Sequence, residues 1–222
     1  MDANVKITDS KFIKSKETYS SSGKDYGGGA IYFHTCVNAE LINDTFIDNH
    51  AEAWGGAISL GNATTHIASC VFINNTANKG GSAIFRNTYK TSNSYNSQQK
   101  VAPLTIENSV LISSDTSMKT VELYYYSTNA SLDNNWWGTN ENPETEGLTT
   151  ATVKTWIVMN LTGERNGESF DLTVTLNTTD STGTLSPVSS EFSARKAILK
   201  GSKGTFDVTE PEIANADRKS VV

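Results

Sequence analysis

The sequence predicts an all-β chain, built as a right-handed parallel β-helix of about five coils followed by an Ig-like β-sandwich. Three observations predict it. A nine-residue register recurs without internal gaps at residues 7–15, 41–49, 67–75 and 106–114, and a weaker copy runs from Leu132 through Asn134 and Trp137 to Asn140. Between those copies, Gly28-Gly29-Ala30-Ile31, Gly55-Gly56-Ala57-Ile58 and Gly81-Ser82-Ala83-Ile84 recur in constant order. Beyond about residue 150 the repeat is lost and apolar residues alternate with polar ones, as in half-buried strands.

The closest copies of the register lie about 26 residues apart, inside the range of stacked-repeat architectures. Each copy holds an aliphatic residue, a small polar residue, a large apolar residue and then Asn or Ser. The Gly pair suits a corner where the backbone adopts positive φ or approaches the next coil closely. Each repeat is expected to carry two or three short strands separated by Gly, Asn, Asp and Ser, and no stretch shows the 3.6 period of a helix. In a parallel β-helix every strand pairs with its equivalent one coil away, about 4.8 Å along the axis, so equivalent positions stack as ladders. The expected ladders are Ile7/Leu41/Ile67/Ile106/Leu132, Phe12/Phe46/Phe72/Leu111/Trp137 and Ile31/Ile58/Ile84. Asn49/Asn75 and Asn43/Asn108/Asn134 read as polar ladders at turns. A β-sandwich with regularly spaced strands is the competing architecture, but it has no reason to repeat a nine-residue register.

These patterns place a β-helix domain over residues 1–148 and an Ig-like domain over 149–222. In the second, Trp156-Ile157-Val158-Met159 reads as an apolar strand, and Phe170, Leu172, Val174 and Leu176 as the buried side of another. Ala194, Ala197-Ile198-Leu199 and Phe206-Asp207-Val208 suggest further strands, at the spacing of an immunoglobulin-type sandwich. Trp136 and Trp137 are expected to close the open end of the ladders.

Two insertions interrupt the coils, Ser15 to Asp25 and Arg86 to Lys100. Insertions in a solenoid fall on loops outside the coil. They carry Tyr19, Tyr89 and Tyr95 among Ser, Asn, Thr and Gln, a composition resembling that of recognition loops. Trp54 and Tyr26 are read as sharing the position before the Gly pair, where exposed aromatics could stack on a sugar face or on each other. Tyr19, Tyr89, Tyr95 and Trp54 are therefore the candidate binding residues.

The chain is acidic, with 18 Lys and Arg against 24 Asp and Glu and a formal net charge of −6. That balance argues against nucleic acid, whose phosphates demand clustered Lys and Arg. No apolar run approaches the length of a membrane-spanning helix. No signal peptide follows Met1, and the C-terminal Ser-Val-Val reads as the start of a strand, so if the protein is exported the chain is expected to be a piece of a longer precursor. Cys36 and Cys70 occupy different register positions and are not expected to pair, and Cys70 is expected to be half-buried. His34, His50 and His66 lack metal-ligand spacing. No cofactor, metal or catalytic residue is expected. Sequons at Asn43, Asn62, Asn74, Asn129, Asn160 and Asn177 are compatible with a glycosylated surface protein.

The Gly-Gly-Ala-Ile element and the Phe-x-x-Asn element (Phe46 to Asn49, Phe72 to Asn75) together resemble the repeats of polymorphic outer-membrane proteins. Asn134-Asn135-Trp136-Trp137-Gly138-Thr139-Asn140 with Asn142-Pro143 is similar to the closing segment of adhesin-like surface proteins of methanogenic archaea. The first copy departs with Ser15 in place of Asn, and the fourth with Leu111 and Ser114. The resemblance implies an extracellular, cell-surface protein that attaches one cell to another cell or surface through a glycan or protein partner. A passive stalk or wall-layer component is the alternative.

The same fold also carries polysaccharide-degrading enzymes, so the site and not the fold must decide, and the site would be built from acids. Asp9, Glu40, Asp44, Asp48 and Glu52 are the candidates, with Asp44 and Asp48 read as sharing one strand face. A hydrolase groove needs paired carboxylates converging on one substrate bond. The equivalents of Asp44 and Asp48 one coil on are Cys70 and Asn74, so no such pairing across coils is expected.

Overall fold

The computed structural model describes residues 4–19, 27–33, 38–88, 101–115, 117–124, 129–166 and 169–188, with the backbone alone for 166, 169–173 and 177. All nineteen elements among these residues are β-strands. One coil holds four strands rather than two or three. In chain order the first coil is β1 (Asn4–Thr8), β2 (Lys11–Ile13), β3 (Lys16–Glu17) and β4 (Ile31–Phe33). The second is β5 (Asn38–Ile42), β6 (Thr45–Ile47), β7 (His50–Ala51) and β8 (Ile58–Leu60). The third is β9 (Thr64–Ala68), β10 (Val71–Ile73), β11 (Thr76–Ala77) and β12 (Ile84–Asn87). The fourth is β13 (Leu104–Glu107), β14 (Val110–Ile112) and β15 (Val121–Tyr124), and β16 (Ala130–Ser131) begins a fifth.

Equivalent strands pair in parallel. The first sheet runs β1-β5-β9-β13-β16, the second β2-β6-β10-β14, the third β3-β7-β11 and the fourth β4-β8-β12-β15. The pairing is in the register of the sequence repeat: Ile7 faces Leu41, Leu41 faces Ile67 and Ile67 faces Ile106. Phe12 faces Phe46, Phe46 faces Phe72 and Phe72 faces Leu111. Ile31, Ile58 and Ile84 stack likewise and continue into Val121. The chain therefore forms a parallel β-solenoid.

Alternation within each strand sends one set of side chains inward. Leu41, Phe46, Ile58, Ile67, Phe72, Ile84, Ile106 and Leu111 are fully excluded from solvent and belong to one continuous core. The strand spacing dictates the ring geometry. Phe12 and Phe46 stack at 4.9 Å with planes 5° apart, and Phe46 and Phe72 at 4.7 Å and 2°. Phe12, Val5 and Ile7 of the first coil are half-buried against this core.

The corners are as regular as the strands. Asp9, Asn43, Ser69, Asn108 and Asn134 all have φ between 50° and 60°, one under another, and Lys14, Asp48 and Asn74 form a second left-handed column. Asn is among the few residues that tolerate this region, because its short polar side chain bonds locally. Next to the second column lies the expected asparagine ladder. Asn75 Oδ1 accepts from the Asn49 backbone and from Asn49 Nδ2, while Asn75 Nδ2 donates to Phe46 O. Asn49 repeats the motif one coil down, accepting from the Ser15 backbone and donating to Phe12 O. At Gly56 the next coil is so close that a Cβ would lie 2.1 Å from Ser82 O and 2.4 Å from Thr76 O.

The end of the stack is built differently from the expectation for the two tryptophans. Trp136 O accepts from the Leu111 backbone, so Trp137 takes the ladder position above Leu111 and is buried in the core. Trp136 points the other way, into a second cluster with Val110, Ile112, Ile157 and Leu176. The core also continues past the ladder's last rung. Thr149 bridges Val121, Trp156 bridges Asn135, and Leu148, Ala151, Val153, Trp156 and Val158 join the same cluster as the ladders, so one core takes in residues on both sides of position 148. β17 (Trp156–Asn166) then leads into an antiparallel sheet with β18 (Ser169–Ser181) and β19 (Thr184–Pro187). Val174 is half-buried and Leu176 buried within β18. The strands expected around Ala194, Ile198 and Phe206 lie outside the described residues.

Two variants test the stacking. Phe72→Ala empties a site closed on both sides by Phe46 and Leu111 and should cost about 3–5 kcal/mol, whereas Phe12→Ala, in the half-buried first coil, should cost less. Equal denaturation midpoints for the two would contradict the ladder. Gly56→Ala should prevent close stacking of the second and third coils, seen as loss of the cooperative thermal transition.

Candidate functional site

Four places on the solenoid carry chemistry, and the first is the aromatic corner. The bridges Gly27–Trp54 and Trp54–Gly80 put Trp54 level with two glycines. This corrects the sequence register, in which Tyr26 was its equivalent; Tyr26 precedes Gly27 and lies outside the described residues. The glycines are needed there. A Cβ on Gly27 would meet Trp54 O at 1.9 Å, and one on Gly80 would meet the indole ring at 2.9 Å. Trp54 is half-buried and stacks on the fully buried Phe85, centroids 4.6 Å apart, with Tyr124 beyond at 6.4 Å. Its ring is thus committed to covering the outer side of β12. Tyr19 is 63% exposed, and its backbone amide donates to the Glu17 carboxylate. β3 pairs with β7 in the register Lys16–His50 and Glu17–Ala51 and ends two residues before Tyr19. Tyr89 and Tyr95 lie outside the described residues.

The second place is the stem of the Arg86–Lys100 insertion. Arg86 pairs with Leu60 on one side and Leu123 on the other, in a column begun by Phe33, so it occupies an inward, aliphatic position. Its side chain is completely buried. Nη2 donates to Ala102 O and, at 3.5 Å, to Ala63 O, while Nε and Nη1 have no partner. Burial pushes the guanidinium down to about 10, which leaves it protonated at neutral pH. Ala102 is held from its other end by Asn62, whose Oδ1 accepts its backbone amide at 2.9 Å. Arg86 therefore ties the residue that enters the insertion to the residues that leave it. Aligning Arg86 with Leu60 in the repeat would have revealed the buried charge.

The third is the outer face of the first sheet. Asn4, Asn38 and Thr64 form one outward row, and Lys6, Glu40, His66 and Thr105 the next. All of these but Thr105 line a surface depression of about 380 Å³. Asn38 Nδ2 donates to Asn4 Oδ1 at 2.8 Å, Lys6 and Glu40 pair at 3.1 Å, and His66 Nε2 lies 2.8 Å from Glu107 Oε1. Exposed pairs of this kind add little stability, but they fix a flat array of amide, hydroxyl and charged groups at strand spacing.

The fourth is the set of acids. Asp44 and Asp48 do not share a face. Both lie in turns flanking β6, Asp48 exposed and Asp44 buried, with Asp44 Oδ1 accepting the Ser10 backbone amide at 2.8 Å. Glu40 is engaged by Lys6, and Glu52 by Lys16 at 3.6 Å and His50 at 3.5 Å. Cys70 is fully buried rather than half-buried, its thiol facing Leu41 O and Ala68 O; Cys36 and His34 lie outside the described residues. No group of three His, Cys, Asp or Glu side chains is placed to hold a metal among the described residues.

Two segments of the solenoid, residues 45–61 and 69–85, match the family model described as the Chlamydia polymorphic membrane protein repeat. Each runs from the second-sheet strand through the third sheet and the Gly corner into the fourth, in consecutive coils. The chain thus carries repeats of the polymorphic-membrane-protein type. No curated protein and no solved structure matches the chain.

Arg86→Leu would continue the column of Leu60 and Leu123. A buried charge without a counter-ion contributes less than a packed aliphatic group, so the denaturation midpoint should stay level or rise. Hydrogen exchange at the Ala102 amide should accelerate, because the tie across the stem is gone. A midpoint several degrees lower would show that the guanidinium supports the coil itself.

Proposed function

We propose that this chain is an adhesin-like part of a cell-surface protein, in which the solenoid displays polar outer faces and loops to a glycan or protein on another cell. The observation that supports this most is the position of the polymorphic-membrane-protein repeats. They are the coils themselves, so the matched sequence is the sequence of the rod. A family named for a membrane protein places the relatives at a membrane, and a rod of stacked coils extends a contact surface away from one. The outer face of the first sheet offers hydroxyl-rich partners an array of amide and charged groups around its depression. The antiparallel sheet of β17, β18 and β19 is read as the beginning of an Ig-like module, and the coil as right-handed. The closing Asn-Asn-Trp-Trp-Gly segment carries the likeness to archaeal adhesin-like proteins.

A passive stalk is favoured by one observation, the commitment of Trp54 to packing on Phe85. Binding of the chain to a glycan array, and adhesion of coated beads to cells, separate the two readings. Wild-type chain should retain beads; Asn38→Ala with His66→Ala, or deletion of Tyr89 to Gln99, should reduce retention severalfold with the thermal midpoint almost unchanged. No retention by wild type would leave the stalk. The reading also expects no turnover of polygalacturonate with or without Ca²⁺; unsaturated or reducing products lost on Asp48→Ala would favour an enzyme.

A further inference from the structure

A third polar column runs inside the corner between the first and second sheets. Its rungs are Ser10, Asp44, Cys70, Ser109 and Asn135, each following a left-handed residue. Every rung above the first accepts the backbone amide of the rung below: Ser10 N to Asp44 Oδ1 at 2.8 Å, Asp44 N to Cys70 Sγ at 3.4 Å, Cys70 N to Ser109 Oγ at 3.0 Å and Ser109 N to Asn135 Oδ1 at 2.9 Å. Four rungs also donate a hydrogen to the carbonyl two residues earlier in their own coil. Ser10 Oγ bonds Thr8 O at 3.0 Å, Cys70 Sγ bonds Ala68 O at 3.3 Å, Ser109 Oγ bonds Glu107 O at 2.8 Å and Asn135 Nδ2 bonds Asp133 O at 3.2 Å.

Asp44 is the exception. Its second oxygen, Oδ2, is buried and has no partner. The carbonyl two residues earlier is Ile42 O, the counterpart of the four acceptors just named. An ionised carboxylate has no hydrogen to offer there; a carboxylic acid has one. We propose that Asp44 is a neutral carboxylic acid in the folded solenoid, its Oδ2 hydrogen completing the column at Ile42 O, and that its ionisation loosens the first coil as pH rises.

The surroundings agree. Burial is the largest influence on Asp44 and raises its pKa; main-chain hydrogen bonds at Ser10 and Ile42 pull it down, Asp9 on the coil below pushes it up, and the balance is upward. The ionisable groups facing it are Asp9 and, from the coil above, the Cys70 thiol. None of the ion pairs among the described residues includes Asp44. The sign follows from linkage. A carboxyl whose folded pKa is raised binds its proton more tightly folded than unfolded, so its contribution is complete below the ordinary value of 3.8 and is lost as pH climbs from there through the folded value.

Asn at position 44 would supply the missing donor at every pH, as Asn135 does. Thermal midpoints of wild type and Asp44→Asn, measured from pH 3 to 8, should coincide at the acid end and diverge as pH rises, with the variant the more stable. Amides of the first coil, those of Asp9 and Lys14, should exchange faster in wild type than in Asp44→Asn at pH 7 and equally fast at pH 3. The ¹³C carboxyl shift of Asp44 in wild type should titrate above its ordinary value. If Asp44→Asn does not fold, Asp44→Ser, matching Ser109, takes its place in the comparison. A carboxyl shift already that of the ionised form at pH 4, or a variant less stable than wild type at pH 7, overturns the proposal.

Discussion

Everything in this solenoid depends on the distance between neighbouring coils. A parallel strand pair fixes that distance at about 4.8 Å, and each inward side chain then meets its own equivalent above and below. Rings can satisfy such a spacing only by lying flat on one another, which is why Phe12, Phe46 and Phe72 stack within 5° of parallel. The corners obey the same rule with polar groups. A buried amide or carbonyl at a turn must find its partner one coil away, and in the asparagine ladder Asn75 does this with three hydrogen bonds to the coil below and Asn49 with two. Leaving such groups unpaired would cost roughly 1–3 kcal/mol each, so the polar ladders are as much a condition of stacking as the aromatic one.

What could be read from the sequence was whatever repeats with like chemistry. The Phe column, the aliphatic columns and the asparagine ladder keep one residue type along the axis, and alignment finds them. The third sheet escaped because its strands, Lys16–Glu17, His50–Ala51 and Thr76–Ala77, are too short to carry a period. The column of Ser10, Asp44, Cys70, Ser109 and Asn135 escaped for a different reason. Its members look unrelated, yet each presents one atom at the same place, and sequence similarity does not measure that. Asp44 reads as sharing a strand face with Asp48, but it sits in the turn before β6, buried in the column. Trp54 was misaligned by one residue because Gly27 lengthens the first glycine run, and only the bridge pattern shows which glycine is its equivalent. Of the candidate binding residues Tyr19 is exposed, Trp54 is half-buried on Phe85, and Tyr89 and Tyr95 lie outside the described residues; a loop's composition does not say what it touches.

A buried ionisable side chain departs from the stacking rule at two positions, Arg86 and Asp44. Arg86 takes a position that is leucine in the coils on either side, Asp44 one that is Ser, Cys or Asn in the other coils, and neither meets an opposite charge among the described residues. Arg86 is compensated by the carbonyls of Ala63 and Ala102, which links a core position to the stem of the insertion. Asp44 can be compensated by its own proton. Both are local costs set inside the stack, Arg86 at the stem of the insertion and Asp44 against the half-buried first coil.

The connection from the fourth sheet back to the first runs over residues 34–37 in one coil, 61–63 in the next and 88–103 in the third. Despite those unequal lengths, β9 still pairs with β5 and with β13 in unbroken register. The coil behaves as an interchangeable unit, whose inward half is held constant by its neighbours while its connecting half is released from that constraint. Gene duplication or recombination between such units would preserve the rod and reshuffle its exterior. A lineage bearing this architecture can therefore diversify what it displays without re-solving how it folds.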